Sequence, residues 1–296
     1  MGEKKPLRAF VAATLLALPL LVVAGPGYAQ SQAPALAPPP AVPTPNFWDQ
    51  GQRFAEPDLS DRARIRFLTS VDFAPFNFLD QRGRLAGFHV DLARTICEEL
   101  DVAARCQIEA RPFAELGGAL AQGEGEAVIA GLAIDADSRS RFDFTHPFFR
   151  YPARFVTLTG QPVERELQAG LAGVKVAVVS GSAHEAMLRA FFPRAEAVGL
   201  PTREAALDAL RAERVRAVFG DGVGLSFWLS SEAAADCCAF SGGPLLSDHF
   251  LGEGLAIAVK PEDGDLRAAF DYAIGRIVAS GRMSELLLRY FPVSAF

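Results

Sequence analysis

The stretch LTSVDFAPFNFLDQRGRLAGFHVDLARTICEEL, Leu68 to Leu100, carries both patterns that decide the fold. It opens on the end of Ile65–Thr69, a short apolar run with β-branched members, which predicts a strand. Further on, Phe88, Leu92, Ile96 and Leu100 recur every four residues, with Ala93 and Cys97 on the same face, which predicts an amphipathic helix. The alternation continues to the end of the chain. Strands are predicted at Val128–Ile134, Phe155–Leu158, Val174–Val179, Val215–Phe219 and Leu255–Val259, and helices at Thr202–Ala212, Leu266–Val278 and Ser284–Tyr290. Strands separated by helices make βαβ units and parallel sheets, so the fold class is α/β.

The chain has 296 residues, 50% of them hydrophobic, enough for one large domain or two medium ones with real cores. Its 29 Lys and Arg against 35 Asp and Glu leave a net charge of −6 and no basic cluster, so a nucleic-acid partner is not expected. Residues 1–29 carry Lys4, Lys5 and Arg8, then an apolar stretch from Ala9 to Ala24, then a small-residue end at Gly27-Tyr28-Ala29. That three-part layout predicts a secretory signal cleaved after Ala29; a membrane anchor would need about 20 apolar residues, and Pro19 interrupts this run. Removing the signal strips three positive charges and one negative, leaving the remainder near −8. Residues 30–60 are rich in proline (Pro34, Pro38, Pro39, Pro40, Pro43, Pro45) and read as an extended linker, with the folded part beginning near Asp61.

Common catalytic signatures are missing: no HExxH, no CxxC, no P-loop and no G-x-S-x-G elbow. His89, His146, His184 and His249 lie far apart without metal-ligand spacing, so no metal site is expected. Gly220-Asp221-Gly222-Val223-Gly224 follows a strand, but its third glycine is misplaced for a dinucleotide loop, and no cofactor is expected.

The motif series resembles the bacterial extracellular solute-binding proteins of family 3, polar amino-acid receptors of ABC importers. The resemblance is carried by Ala74-Pro75-Phe76, Gly87-Phe88-His89-Val90-Asp91-Leu92 and Gly131-Leu132-Ala133-Ile134, then by Phe144-Thr145-His146-Pro147-Phe148-Phe149. Gly173–Val178 leading into Gly181-Ser182, Phe219-Gly220-Asp221, Gly252–Val259, Gly281 and Tyr290-Phe291 complete it. His89 stands where the family usually has an acid. The resemblance implies a two-lobe type II periplasmic binding-protein fold (Venus-flytrap) with two crossover strands. Lobe 1 would hold residues 61–151 plus 247–296 and lobe 2 residues 152–246. It also implies a periplasmic location, a small zwitterionic ligand, an inner-membrane ABC permease as partner, a monomeric state and no enzymatic activity.

A zwitterion in a closed cleft needs each charge met, because an unpaired buried ion is costly. By resemblance, Asp221 takes the ammonium; it could instead simply cap the following helix. Ser182 and Ala183 match a loop whose N–H groups point into the cleft from a helix N-terminus. Ala130, Gly131, Ala133 and Asp135 stand where the family commonly has Ser or Thr, leaving backbone groups without hydroxyls. Ser138 falls in the family's Arg column with Arg139 one residue later, so Arg139 is preferred for the carboxylate and Arg141 is the alternative. Phe73 matches a stacking aromatic and Phe113 an apolar site position, with core packing the other reading for each. Ser70 stands where relatives that bind basic side chains often carry an acid, which argues against lysine, arginine or histidine as ligand.

The resemblance further implies a Cys97–Cys106 disulfide. Cys237 and Cys238 are adjacent and could form a vicinal disulfide, stay reduced or pair elsewhere. Two other functions are compatible with the pattern. One is an enzyme on the same fold, resembling periplasmic cyclohexadienyl dehydratases, with Glu253, Glu115 or Asp72 as general acid. The other is a receptor for a metabolite that is not an amino acid.

Overall fold

A computed structural model describes residues 54–291; the predicted signal segment 1–29 and the predicted linker up to residue 53 lie outside the described residues. The chain begins with β1 (Ile65–Thr69), β2 (Asp72–Phe73), β3 (Asn77–Leu79), β4 (Leu85–Ala86) and α1 (Phe88–Glu99). Next come β5 (Cys106–Ala110), α2 (Phe113–Ala121), β6 (Ala127–Val128), α3 (Ala136–Arg139) and β7 (Asp143–Phe144). The middle of the chain holds β8 (Ala153–Leu158), α4 (Glu164–Gln168), β9 (Lys175–Val179), α5 (Ala183–Phe191), β10 (Glu196–Leu200) and α6 (Arg203–Arg211). After these follow β11 (Ala217–Asp221), α7 (Gly222–Leu229), β12 (Cys238–Leu245), α8 (Asp248–Leu251), β13 (Ala258–Val259), α9 (Gly264–Ala279) and α10 (Arg282–Tyr290).

Two five-stranded sheets result, ordered β5-β1-β6-β13-β7 and β10-β9-β11-β8-β12, with a small three-stranded sheet, β2-β3-β4, between β1 and α1 in the chain. In the first, β1 runs parallel to β5 and β6, and only β13 is antiparallel to its neighbours. The second repeats the scheme, with β9 parallel to β10 and β11, and β8 antiparallel to β11 and β12. Helices cover both faces of each sheet, so the central strands are buried on both sides and read as nearly unbroken apolar runs. Alternation divides them: Ile65 and Phe67 enter a core with α1 and α9, while Leu68 enters one with Leu116 and Leu120 of α2. In the second sheet Phe155 joins Met187 and Leu188 of α5, and Val156 joins Leu207 and Leu210 of α6.

Several sequence expectations change here. The strand predicted at Val128–Ile134 stops at Val128, and the one at Leu255–Val259 begins at Ala258. Past Val128 the chain leaves the sheet at its carboxyl edge, where Ile129 still donates to the Leu68 carbonyl at 2.9 Å but Gly131 takes φ +79. The helix predicted from Thr202 starts at Arg203, because the Thr202 hydroxyl accepts the Ala205 N–H at 3.1 Å as its cap. The end of the proline-rich segment is not linker: Leu59 is buried in the first core, and Phe54 packs against the same core. Residues 248–251, grouped above with lobe 1, form α8, which packs Phe250 and Leu251 on the core of the second sheet.

The two sheets are linked by a crossing at Phe149–Pro152, between β7 and β8, and by a return crossing after α8. The crossings pair with each other: the Leu255 N–H donates to the Phe149 carbonyl at 2.7 Å, and the Phe148 N–H to the Leu255 carbonyl at 2.9 Å. Gly254 sits at this junction with φ +111, and a Cβ there would collide with the Phe149 carbonyl oxygen, so only glycine fits.

Cys97 and Cys106 form the expected disulfide between α1 and β5, and Cys237 and Cys238 are bonded to each other at the start of β12. In the chain-entropy model the short Cys97–Cys106 loop contributes about 2–3 kcal/mol. The double variant Cys97→Ala/Cys106→Ala should lose that much in urea denaturation; an unchanged midpoint would contradict it.

His89 lies in the same core with no solvent exposure, its ring 5.1 Å from that of Phe76 and 5.6 Å from that of Phe148. Burial pushes its pKa down to about 3, so the imidazole is neutral. The unfolded chain binds a proton near pH 6.5 that the folded one refuses. Stability contributed by the neutral ring is therefore full above pH 6.5 and falls as the pH drops toward 3, by up to about 5 kcal/mol. Chemical denaturation followed from pH 7 to pH 4 should show this slope, and His89→Gln should flatten it; equal slopes in both proteins would exclude His89 as the cause.

Candidate functional site

In open α/β sheets, ligands bind beyond the carboxyl ends of the strands. Here β1 ends at Thr69 and leads into Ser70–Phe73, β9 leads through Ser182 into α5, and β11 ends at Asp221. A cleft of about 430 Å³ opens between the segments that follow β1 and β11. Phe73, Ala74, Pro75 and Phe76 line it from β2 and the turn after it, Asp221, Val223, Gly224 and Phe227 from β11 and α7, and Tyr151 from the crossing.

Asp221 is the N-cap of α7: one carboxylate oxygen accepts the Val223 N–H at 3.1 Å and the other the Gly224 N–H at 2.9 Å. It therefore caps the helix and faces the cleft at once, because the first turn of α7 is itself a cleft wall. Burial raises the Tyr151 hydroxyl pKa, and the Asp221 charge adds to the rise. The His184 pKa is lowered by burial, with the same carboxylate opposing the shift. Both rings are thus uncharged near neutral pH, and Asp221 is the carboxylate among the residues lining the cleft.

At the start of α5 the Ser182 hydroxyl accepts the Glu185 N–H at 3.1 Å and donates to the Val179 carbonyl at 2.7 Å. Glu185 reaches back to accept the Gly181 N–H at 2.7 Å. These bonds leave the first-turn N–H groups of Ala183 and His184 without an acceptor among the described residues. Such groups, at the positive end of a helix dipole, suit an anion.

On the opposite wall, the Phe73 ring of β2 stacks on Phe76 at 4.7 Å and closes over Gly131, where a Cβ would lie 2.9 Å from a Phe73 ring carbon. A side chain larger than hydrogen at 131 would displace that ring. Ala130 is buried and Ala133 exposed, and neither lines the cleft. Ser70 is buried; its hydroxyl donates to Asp72 Oδ1 at 2.5 Å and accepts from Asn77 Nδ2 at 2.8 Å.

The structure unites Phe73 and Asp221 in one cleft and leaves other expected residues outside its lining. Phe113 opens α2 and is 43% exposed. Arg139 ends α3 and pairs with Glu253 of the return crossing at 2.5 Å, while Arg141 pairs with Asp137 at 2.7 Å. Ser138, in the family's Arg column, is held in a capping box: its N–H donates to Asp135 Oδ1 at 2.9 Å, and its hydroxyl accepts the Asp135 N–H at 3.0 Å. That capping turn leaves Arg139 on the exposed side of α3. Sequence reading missed Tyr151, Val223 and Phe227. The i, i+4 spacing from Val223 to Phe227, directly after Asp221, could have placed both on one face of its helix. Tyr151 has no such signal, since a crossing has no period.

The chain is similar to several known proteins. An L-arginine-binding protein of Pseudomonas aeruginosa is 30% identical over 234 residues, 78% of this chain and 89% of that protein. A histidine-binding periplasmic protein of Salmonella typhimurium is 25% identical, over 79% and 89% of the two chains. Among solved structures, the unliganded, open L-cystine solute receptor of Neisseria gonorrhoeae superposes with a TM-score of 0.64 at 20% identity, over 78% of this chain and 94% of that one. At that identity the likeness shows the two-lobe fold. Residues 65–293 match the sequence profile of the bacterial extracellular solute-binding proteins, family 3, and the chain belongs to that family.

Proposed function

We propose that this chain is a periplasmic receptor that captures a small zwitterionic amino acid between two lobes and delivers it to an inner-membrane ABC importer. The observation that carries this reading is the convergence of Phe73 and Asp221, from different sheets, on one cleft. Relatives named for binding arginine and histidine support an amino acid as ligand.

In this reading the ammonium meets Asp221, whose two hydrogen bonds fix its carboxylate before the ligand arrives. The ligand carboxylate meets the Ala183 and His184 N–H groups and Arg139, which exchanges Glu253 for the ligand. Phe73, Phe227 and Tyr151 bound the side chain. Lobe 1 takes in the segment from Phe54 to Tyr151 and the chain after Gly252, and lobe 2 the residues between. Ligand closes the lobes about the paired crossings, and the permease reads the closed form. The receptor acts as an exported monomer without catalysis. Glu253, Glu115 and Asp72, the candidate acids of a dehydratase, are not among the residues lining the cleft.

A thermal-shift screen against the amino acids tests the ligand class, since a compound that binds only the folded state raises the melting temperature. At about 100 times Kd the rise should be about 5–10 °C. No shift with any amino acid would reject the reading, and turnover of prephenate or arogenate would replace it with the enzymatic one. Asp221→Ala should weaken the ligand found in this way by about 3–5 kcal/mol, a loss of a hundredfold or more in calorimetry. Equal affinity in the variant would remove Asp221 from the site.

A further inference from the structure

Among the described residues Asp221 is the only charged one lining the cleft, and on the amino-acid reading it meets the α-ammonium. Arg139, held by Glu253, is the group that goes to the α-carboxylate. Other polar groups are engaged elsewhere: Arg141 pairs with Asp137, and the Ser70 hydroxyl is taken up by Asp72 and Asn77. Burial keeps the Tyr151 hydroxyl protonated at neutral pH, so it brings no charge. No lining group is left to meet a second charge on the ligand.

What remains of the wall is apolar. Of the large apolar side chains left exposed among the described residues, Phe227 alone lines the cleft. It is 36% exposed although its ring lies 6.1 Å from that of Phe291, a member of the first core, and although Val223, one helical turn before it, is buried in that core. Ala74 and Pro75 continue the apolar lining from the turn after β2. Water over such a surface is released when an apolar group covers it. A charged group placed there would shed its own water and find no partner. Aromatic rings attract cations, but that attraction is smaller than the cost of stripping an ammonium of water without an anion beside it.

We propose that the cleft selects amino acids with a large, uncharged, apolar side chain, and that Phe227 is the residue that selects them. This rests on the reading of the cleft as an amino-acid site and names its substrate class. Asp221 meets the α-ammonium, which every amino acid has, so it does not discriminate among side chains. Phe227, with Ala74 and Pro75 of the other wall, covers the part in which amino acids differ. The volume of about 430 Å³ lies within the range of small-molecule pockets and leaves room for a side chain of four or more carbons.

L-Norleucine is L-lysine without its terminal ammonium, so the pair isolates side-chain charge in calorimetry. Wild-type protein should bind norleucine tighter than lysine by about tenfold or more, and should bind phenylalanine and methionine tighter than arginine and histidine. Phe227→Ala, at an exposed position, should weaken norleucine by about tenfold, while L-alanine, with one methyl to offer, should lose little. A wild type that binds lysine, or any other amino acid with a charged side chain, as tightly as the apolar ones overturns the proposal and leaves the amino-acid reading standing. Unchanged norleucine affinity in Phe227→Ala, or an equal loss for norleucine and alanine, overturns the role of Phe227. Binding of no amino acid at all removes the underlying reading and the proposal together.

Discussion

The hydrogen bond from the Leu255 N–H to the Phe149 carbonyl, 2.7 Å long, ties the two crossings together, and the rest of the molecule is arranged about it. Each sheet buries its own strands between its own helices, so the lobes have separate cores and share little beyond the crossings and the start of α7. Two lobes with independent cores can change their relative angle while keeping most internal contacts, which is the condition for hinge closure. The junction must then stay narrow and backbone-to-backbone. Gly254 meets that demand because it brings two chains closer than any side chain would allow.

The same topology places charge. Parallel strands deliver their carboxyl ends, and the helix starts that follow them, to one edge of each sheet. At that edge N–H groups are unpaired by the geometry of the helix itself, so it suits carboxylates whether they belong to the protein or to a ligand. Asp221 shows the first case, accepting two N–H groups of α7, and the first turn of α5 leaves the Ala183 and His184 N–H groups without an acceptor among the described residues. The Arg139–Glu253 pair belongs to the same logic. It is half exposed, so it is worth little to stability.

Much of the fold was legible in the chain. Apolar runs flanked by helical periods revealed the α/β class, and Thr202 and Ser182 stood at the helix starts where a hydroxyl should cap. The differences have two physical origins. The predicted strands run on through Ile134 and back to Leu255 because apolar residues beyond the sheet edge resemble strand residues in sequence, although Ile129, Ala130, Leu255, Ala256 and Ile257 pack in the two cores of the first sheet. Leu59 and Phe54 were assigned to a linker by the prolines before them, yet two isolated apolar side chains were enough to dock that segment on the core.

The sequence by itself determined the strand and helix order, the family motifs, the Cys97–Cys106 pairing by resemblance, and Asp221 as a residue of interest. These follow from local periodicity and from spacing along the chain, which a sequence displays directly. Only the tertiary structure decided that Phe113 and Arg139 lie outside the cleft lining while Tyr151 and Phe227 lie within it. Only it decided that the Ser70 hydroxyl is engaged by Asp72 and Asn77. Those facts depend on where separate segments meet and which way each donor points, and hydrogen bonds between residues brought together by folding leave no periodic mark on the chain that makes them.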